Sequence, residues 1–430
     1  MIVLWVAFGL VSLTLYFAQT ASLELRTASH RSGAIAADQA ILGAVRYLTN
    51  LLTDLEIPGQ LPDPLSYAHT AVPVGQATFW ILGRPHSDDD PRRPVFEITD
   101  ENARLNLNTA TADMLALLPR MTPELAAAIV DWRDSDNEPS SGGAEDETYL
   151  RLDPARRAKN APFESIEELR LVYDMNLELL FGEDTNLNGV LDPNEDDGDR
   201  SPPNDNNDGR LDAGLLEYLT VHTRVPTTRA DGTARLDLAA STFQANTLGS
   251  LLQERFGDSR GNQILQNLGN TTAGFTSVLE FFIRGQLTLE EAATVETDLV
   301  VSTAPAVVNV NTAPEIVLAC LPGIGTELAP TLVAHRLSVA SATPTVAWVT
   351  EVLDAQQALL AGPHLTGQSH QVTLDIAAVG PHGRGYRRTR FVCDLANGVP
   401  HLIHRRDLTA YGWALGAEVH EDLRLARSSP

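Results

Sequence analysis

The chain has 430 residues and 43% hydrophobic content, enough for a sizeable core, which excludes wholesale disorder. Basic residues number 31 against 56 acidic ones, and a net charge of −25 argues against a general nucleic-acid binder, whose phosphate contacts need a basic surface. Two cysteines, Cys320 and Cys393, exclude a disulfide scaffold or a four-cysteine zinc site and leave open whether they pair.

The first predicted element is one long helix. Ile2 to Ala21 carries no formal charge, and 20 helical residues span about 30 Å, one hydrocarbon thickness. No basic stretch precedes it and no A-x-A site closes it, so it reads as an anchor rather than a cleaved signal. Between Ser22 and Glu56 there is no proline, and Ala34, Ala37, Ile41, Val45, Leu48, Leu52 and Leu55 recur every three or four residues until Pro58-Gly59. The pattern predicts a rod of about 84 Å, with residues 1–21 in lipid and 22–58 amphipathic against a globular head. Type IV pilins and pseudopilins are built this way.

Residues 59–104 contain strand-like ATFWILGR and VFEITDE. An internal repeat follows. Residues 105–133, LNLNTATADMLALLPRMTPELAAAIVDWR, align without a gap on residues 308–336, VNVNTAPEIVLACLPGIGTELAPTLVAHR, with 13 identities in 29 positions, more than chance supplies easily. Each copy has an alternating strand (Leu105, Leu107; Val308, Val310) and an Asn-Thr-Ala segment where Asn or Thr can cap the next helix, which ends at Pro119 or Pro322. Gly323-Ile324-Gly325 makes a tight turn into another helix, a helix-hairpin-helix pattern. A fainter third start, Asp231-Gly-Thr-Ala-Arg-Leu-Asp-Leu, matches Asp100-Glu-Asn-Ala-Arg-Leu-Asn-Leu. Phe163-Glu-Ser-Ile and Phe275-Thr-Ser-Val open capped helices. The hairpins do not suit DNA. The first has Arg120-Met121-Thr122 in place of the glycines and holds Asp113, Glu124 and Asp131 against Arg120 and Arg133, and the second has Glu315 and Glu327 against Arg336. Residues 105–365 therefore read as an inserted helical domain.

One motif carries sharp chemistry. Asp184, Asn186, Asn188, Gly189, Val190, Asp192 and Glu195 fit the loop D-x-[DN]-x-[DN]-G-x5-E. Side-chain oxygens at positions 1, 3 and 5, the Val190 carbonyl, Asp192 and a bidentate Glu195 would surround a calcium ion, with Gly189 making the turn and Leu191 pointing inward. Asp205, Asp208 and Asp212 form a less regular second set, whose position 12 is Leu215. Nine acids between Asp184 and Asp212 face only Arg200 and Arg210, so a counter-cation is expected across the 184–217 region, acting as a structural clamp rather than a switch. No HExxH, GxSxG or P-loop is present. His401 and His404 lack a third ligand and read as surface or packing residues. QVTLDIAAVG, YRRTRFVCDL and HLIHRRDLTAYGWAL predict that 366–430 is an antiparallel β-meander. The fold class is α+β: an N-terminal helix, an antiparallel sheet and a large inserted helical domain.

The apolar start, ARLNLNTA with its LP turn, DWRDSD (Asp131 to Asp136), PFESIEEL, the NVNTAP…LPGIG copy and the C-terminal strands together resemble the type II secretion minor pseudopilin K family. The resemblance spans nearly the whole chain. It implies a non-enzymatic tip subunit of the pseudopilus, joined to minor pseudopilins I and J. Such a subunit is anchored once in the inner membrane with its bulk in the periplasm, and takes no nucleic acid or small-molecule substrate. It also implies a cap lacking the early acidic residue of other subunits, and the first acid here is Glu24. The family's short basic leader ending in Gly is not seen before Met1, which leaves the mature start open. Two competing readings are a membrane-anchored helix-hairpin-helix DNA-binding protein of the competence type and a calcium-dependent adhesion module.

Overall fold

The computed structural model describes residues 2–55, 57–85, 90–239, 245–269, 274–304, 306–339, 345–396 and 398–428. The N-terminal helix α1 runs Ile2–Thr53. It stops ahead of Pro58 because Leu55 and the following turn already leave helical geometry. Its front half is exposed from Ile2 to Leu25 except at half-buried Thr20, and it is long and apolar enough to cross a membrane. Its back half buries Ala34, Ala37, Ile41, Val45, Leu48 and Leu52 on one face, as the spacing predicts.

That face lies on a six-stranded antiparallel sheet. Its strands are β1 (Val72–Val74), β2 (Ala77–Leu82), β3 (Thr99–Asp100), β4 (Gln371–Gly380), β5 (Arg384–Asp394) and β6 (His401–Asp407). The order is β1-β2-β4-β5-β6, with β3 beside β2 on the same edge of β4. Alternate residues divide the sheet's two faces. Phe79, Ile81, Leu374, Ile376 and Ala378 pack against α1, while Trp80, Leu82, Ala377 and Val379 form a second cluster on the opposite face. Where α1 crosses the β4–β5 turn the two backbones touch, and a side chain on Gly33 would meet the Arg384 carbonyl at 2.9 Å.

The chain between β3 and β4 forms the helical insertion around one large core. Among the described residues it contains three modules, each closed by two short parallel strands. Leu105–Asn106 pairs with Leu219–Thr220, Leu236–Asp237 with Leu299–Val300, and Val308–Asn309 with Leu365–Thr366. Each ladder gains one further bond: Leu107 N–H to Thr220 O, 2.7 Å; Leu238 to Val300, 2.8 Å; Val310 to Thr366, 3.0 Å. In each, the side-chain oxygen of the second strand residue turns forward. Asn106 accepts from the N–H of Asn108, Asp237 from Ala239 and Asn309 from Asn311, at 2.8 to 3.0 Å. The faint third start thus shares the strand pairing and the forward turn of the other two. The two stronger copies also share an arginine: Arg133 donates to the Leu107 and Ala110 carbonyls, and Arg336 to those of Val310 and Ala313. Burial, only partly offset by the Asp134 charge, brings the Arg133 guanidinium down to about 10.

Several expectations need correction. The cap of the first module's helix is Thr111 rather than Asn108 or Thr109, and Pro314 holds that place in the later copy. The Asn108 side chain is instead committed to Phe163, accepting its N–H at 2.7 Å and donating to its carbonyl at 3.0 Å, and that of Asn311 donates to the Gly367 carbonyl and accepts from Trp348 Nε1. The Phe163 and Phe275 frames do open capped helices, the first a 3-10 helix, Ile166–Leu171, in which Glu168 accepts the Ser165 N–H, and the second the α-helix Val278–Gly285, in which Ser277 accepts the Glu280 N–H. Residues 366–430 are not all meander. The last strand ends at Asp407, whose carboxylate turns back to the Thr409 N–H at 2.8 Å, and Gly416–Ser428 is a helix. Val419 and Leu423, four residues apart, pack it beside Trp413. Both cysteines are free and buried, in different core clusters.

The two helix pairs make one comparison testable. Gly323 turns at φ 81°, and its counterpart 203 residues earlier, Arg120, is forced to φ 60°. A β-carbon costs about 1–2 kcal/mol there. We expect Arg120→Gly to be neutral or stabilising by up to about 1 kcal/mol. Gly323→Ala, which drives its methyl into the Gln357 carbonyl, should cost about 1–3 kcal/mol in urea unfolding. Equal effects would refute the equivalence of the turns.

Candidate functional site

The acidic loop grows from a closed base. Asn176 caps the helix Leu177–Phe181, and Gly182 at φ 59° turns the chain out. The Glu183 N–H meets the Asp212 carbonyl at 2.9 Å, and the Glu183 carboxylate accepts the Asp212 N–H at 2.9 Å. Residues 184–212 therefore leave and return at one point.

Within the first loop the turn hydrogen bonds follow the predicted spacing. Asp184 accepts the N–H groups of Asn188 (2.9 Å) and Gly189 (2.8 Å), Asn186 accepts that of Asn188 (2.9 Å), and Asn188 accepts that of Val190 (2.7 Å). Gly189 adopts φ 72°, and Leu191 is buried. Glu195 reaches back, one oxygen accepting the Thr185 N–H (3.3 Å) and the other that of Asp192 (3.1 Å). The Asn186 and Asn188 amides donate to Asp192 at 2.7 and 3.1 Å. Asp184, Asn188 and Glu195 are buried. Burial, with the charges of Asp184 and Asp192, pushes the Glu195 carboxyl up to about 8, and burial also raises Asp184 and Asp192. Asp184, Asp192 and Glu195 do not bring one oxygen each within 4.8 Å of the others.

The second set is more dispersed. Asp205 accepts from the N–H groups of Asp197 (3.0 Å) and Gly198 (2.9 Å), Asp208 from that of Arg210 (2.8 Å), and Asp212 from the Asn206 amide (3.4 Å). Asp208 and Asp212 are exposed. Each serves its own turn, and no common oxygen cage forms among them.

The feature that sequence reasoning missed lies beneath the loop. Asp375 on β4 faces Arg390 on β5 across the ladder, with Arg388 two residues earlier. The Asp375 carboxylate accepts Arg388 Nε (2.8 Å) and Nη2 (2.7 Å), and Arg390 Nε (3.0 Å) and Nη2 (2.7 Å). The remaining N–H groups turn up into the loop. Arg388 donates to the Asn186 and Leu187 carbonyls, both at 2.6 Å, and Arg390 and Arg84 donate to Leu187 at 3.3 and 3.0 Å. Arg84 is also paired with Glu217 at 2.8 Å. Asp375 is 1% exposed and Arg388 0%. Burial alone would raise the Asp375 carboxyl, but the Arg388 and Arg390 charges reverse that and hold it well below the usual carboxylate range. The available signal was two arginines on one face of an otherwise buried strand. Elsewhere, His404 stacks on His222 with ring centroids 4.9 Å apart, in keeping with a packing role, and His401 is exposed.

Comparison with known proteins bears on this region. Residues 101–180, which end just before the loop, match the family model described as type II secretion system (T2SS), protein K. The type II secretion system protein K of Klebsiella pneumoniae is 37% identical over 71 residues, 16% of this chain and 22% of that protein. That of Pectobacterium carotovorum subsp. carotovorum is 43% identical over 56 residues, 13% of this chain and 17% of that protein. The matches thus cover less than a quarter of each curated relative. A chain of the GspK-GspI-GspJ complex from the enterotoxigenic Escherichia coli type 2 secretion system aligns over 91% of this chain and 99% of its own, at 14% identity and a TM-score of 0.37.

The Asp375 knot predicts a pH effect of fixed sign. A carboxyl whose pKa is depressed on folding stabilises the protein above its unfolded value, about 3.9, and that contribution fades as pH falls through the folded value. Asp375→Asn leaves two buried guanidinium groups short of a counter-charge and should cost about 3–5 kcal/mol at pH 7. In urea unfolding the gap between wild type and variant should hold down to about pH 4 and narrow below it.

Proposed function

We propose that this chain, a member of the type II secretion protein K family through residues 101–180, is a non-enzymatic minor pseudopilin at the tip of a pseudopilus. In that role it would assist export of folded proteins across the outer membrane, with minor pseudopilins I and J as neighbours. The observation that carries the reading is the family segment sitting in a helical insertion on a sheet, behind a helix with two environments. Ile2 to Leu25 presents apolar side chains outward, and Ala34 to Leu52 packs on the sheet. That division supports a single inner-membrane anchor with the bulk of the chain in the periplasm.

The helix pairs at 112–133 and 315–339 are read as helix-hairpin-helix units adapted to building the domain. Arg133 and Arg336 are turned onto carbonyls of their own modules, and Arg120 is paired with Glu178 at 2.6 Å. The hairpin arginines are therefore committed internally, and this disfavours the competence-type DNA-binding reading.

The 184–195 loop is proposed to hold calcium through the Asp184, Asn186, Asn188, Asp192 and Glu195 side chains and the Val190 carbonyl, with Asp205, Asp208 and Asp212 as a secondary set. The donors are hard oxygens, and the buried Glu195 carboxyl, beside two further acids, favours either a proton or a cation. An ion would neutralise the loop where it meets the sheet, acting as a clamp.

Two measurements test this reading. Co-expression of the full chain with candidate pseudopilins I and J, followed by detergent extraction and affinity capture, should recover a ternary complex, and its complete absence would sink the tip assignment. For the clamp, chelator should lower the melting temperature relative to calcium by several degrees, since ligand binding at about 100 times Kd adds about 2.7 kcal/mol. Identical melting in both conditions would remove it.

A further inference from the structure

Far from the acidic loop, a groove of about 800 Å³ runs between α1, the first residues of β5 and the C-terminal helix Gly416–Ser428. One wall is a stripe of α1, in which Thr27, Arg31, Ile35 and Asp38 follow at helical spacing with His30 beside them. Arg384 and Arg387 stand opposite, and Trp413, His420 and Leu423 complete the lining. The floor is fixed by backbone contact, since a β-carbon on Gly385, at φ 70°, would collide with the Ala34 backbone.

The charge of this groove is opposite to that of the chain. Its lining holds three arginines and two histidines against one carboxylate, Asp38, in a protein of net charge −25. Asp38 lies 3.4 Å from Arg387, while Glu418 and Glu421 of the C-terminal helix are paired with Arg93 (3.2 Å) and Arg424 (2.8 Å). Arg31 and Arg384 are exposed, and among the described residues neither meets a carboxylate at ion-pair distance. Arg384 donates from Nη1 to the Ser29 hydroxyl, which orients the guanidinium and leaves most of its N–H groups open.

Position narrows the ligand. The uncharged stretch of α1 ends at Ala21, and Thr27 opens the groove six residues further on, about 9 Å along the helix. The headgroup layer beyond the hydrocarbon is about 5–8 Å deep. Helix side chains lean toward the N-terminus, so His30 and Arg31 incline back toward that layer. A guanidinium pairs with phosphate oxygens through parallel N–H groups. Ile35, Leu423 and the Trp413 ring add apolar surface for a glycerol backbone and its first acyl carbons. A neighbouring apolar helix would fit poorly against three arginines. We propose that this groove binds the headgroup of an anionic phospholipid of the phosphatidylglycerol type, seating the head on the bilayer surface from which α1 emerges. The assignment rests on the reading of Ile2 to Ala21 as a membrane span.

The test reconstitutes the full chain in bilayer discs of phosphatidylcholine, with or without phosphatidylglycerol, and identifies the lipids it retains by native mass spectrometry. Recovery in pure phosphatidylcholine discs reads the span, and preference for phosphatidylglycerol reads the groove, so the two assignments fail separately. Wild type should retain phosphatidylglycerol selectively. The double variant Arg31→Gln with Arg384→Gln should enter discs equally well and lose roughly tenfold or more of that preference, since each basic group near an anionic surface contributes severalfold. Both side chains are exposed, so the fold tolerates the change. Asp38→Asn should strengthen retention, and Arg210→Gln, an exposed change in the distant acidic loop, should leave it unaltered. Equal retention of both lipids by wild type overturns the inference, as does a preference that survives the double variant. Free glycerol phosphate binding as tightly as the lipid would assign the groove to a soluble anion and overturn it. Because both native cysteines are buried, an Arg384→Cys thiol can be probed with a charged maleimide. Shielding of that thiol by pseudopilins I and J, but not by phosphatidylglycerol, would give the groove to a protein neighbour and overturn it too.

Discussion

The structure depends on one buried carboxylate taking two arginines at once. Asp375 satisfies the Nε and Nη2 groups of Arg388 and Arg390 from the adjacent strand, which leaves further N–H groups of both side chains pointing off the sheet. Those groups close on the Leu187 carbonyl, joined there by Arg84. A loop rich in acids is thereby held to a sheet through its backbone, while carboxylates such as Asp184, Glu195 and Asp205 accept N–H groups of the loop itself. The knot also explains why charged side chains lie in the middle of a buried face. Arg388 meets both carboxylate oxygens and Arg390 places two N–H groups on one of them, which offsets the desolvation that would otherwise expel the charges.

A second polar joint works alongside it. The run Asp100-Glu101-Asn102 sits where β3 leaves the sheet and the insertion begins. Asp100 accepts from Asn309 (2.8 Å), Thr312 and Ser369 (both 2.6 Å). Glu101 accepts from Thr220 and Thr373 and pairs with Arg104 at 3.0 Å, while Asn102 accepts the N–H groups of His370 and Gln371. Three consecutive side chains thus connect the opening of the first module, the opening and close of the third, and β4. An insertion of this length keeps its position because both of its ends are bound to the same few residues. Polar bonds suit such a joint, since they fix direction as well as distance.

The modules show how repetition is preserved and relaxed. The paired short strands and the forward-turning Asn or Asp side chain recur in all three copies, because the backbone polar groups at a buried strand end must be satisfied. The stretch between the strands is free to vary. The first copy takes the acidic loop there, between Phe181 and Leu215. The third copy keeps its tight turn at Gly323, and the first tolerates Arg120 in the same conformation.

Much of this was legible in the chain itself. The apolar run and the spacing from Ala34 to Leu52 determined a long helix, apolar enough at its start to cross a membrane, with one packed face, because helical periodicity is a local property. The 203-residue offset determined two equivalent modules, and the spacing from Asp184 to Glu195 determined a turn whose backbone bonds form locally. Other features required partners distant in sequence. Asp375 and Arg388 become a pair only when two strands align, and Leu187 joins them from about 200 residues away. Asp131 and Glu145 come together only when a loop folds back over a helix end. The C-terminal helix escaped because strand-like alternation in 401–407 was extended past the turn at Asp407. Sequence by itself decided the N-terminal helix and most of the strands and short helices, since those depend on neighbours a few residues apart. Tertiary structure alone decided where buried charges meet, because in a low-dielectric interior the stability of a charge is set by whatever chain passes nearest.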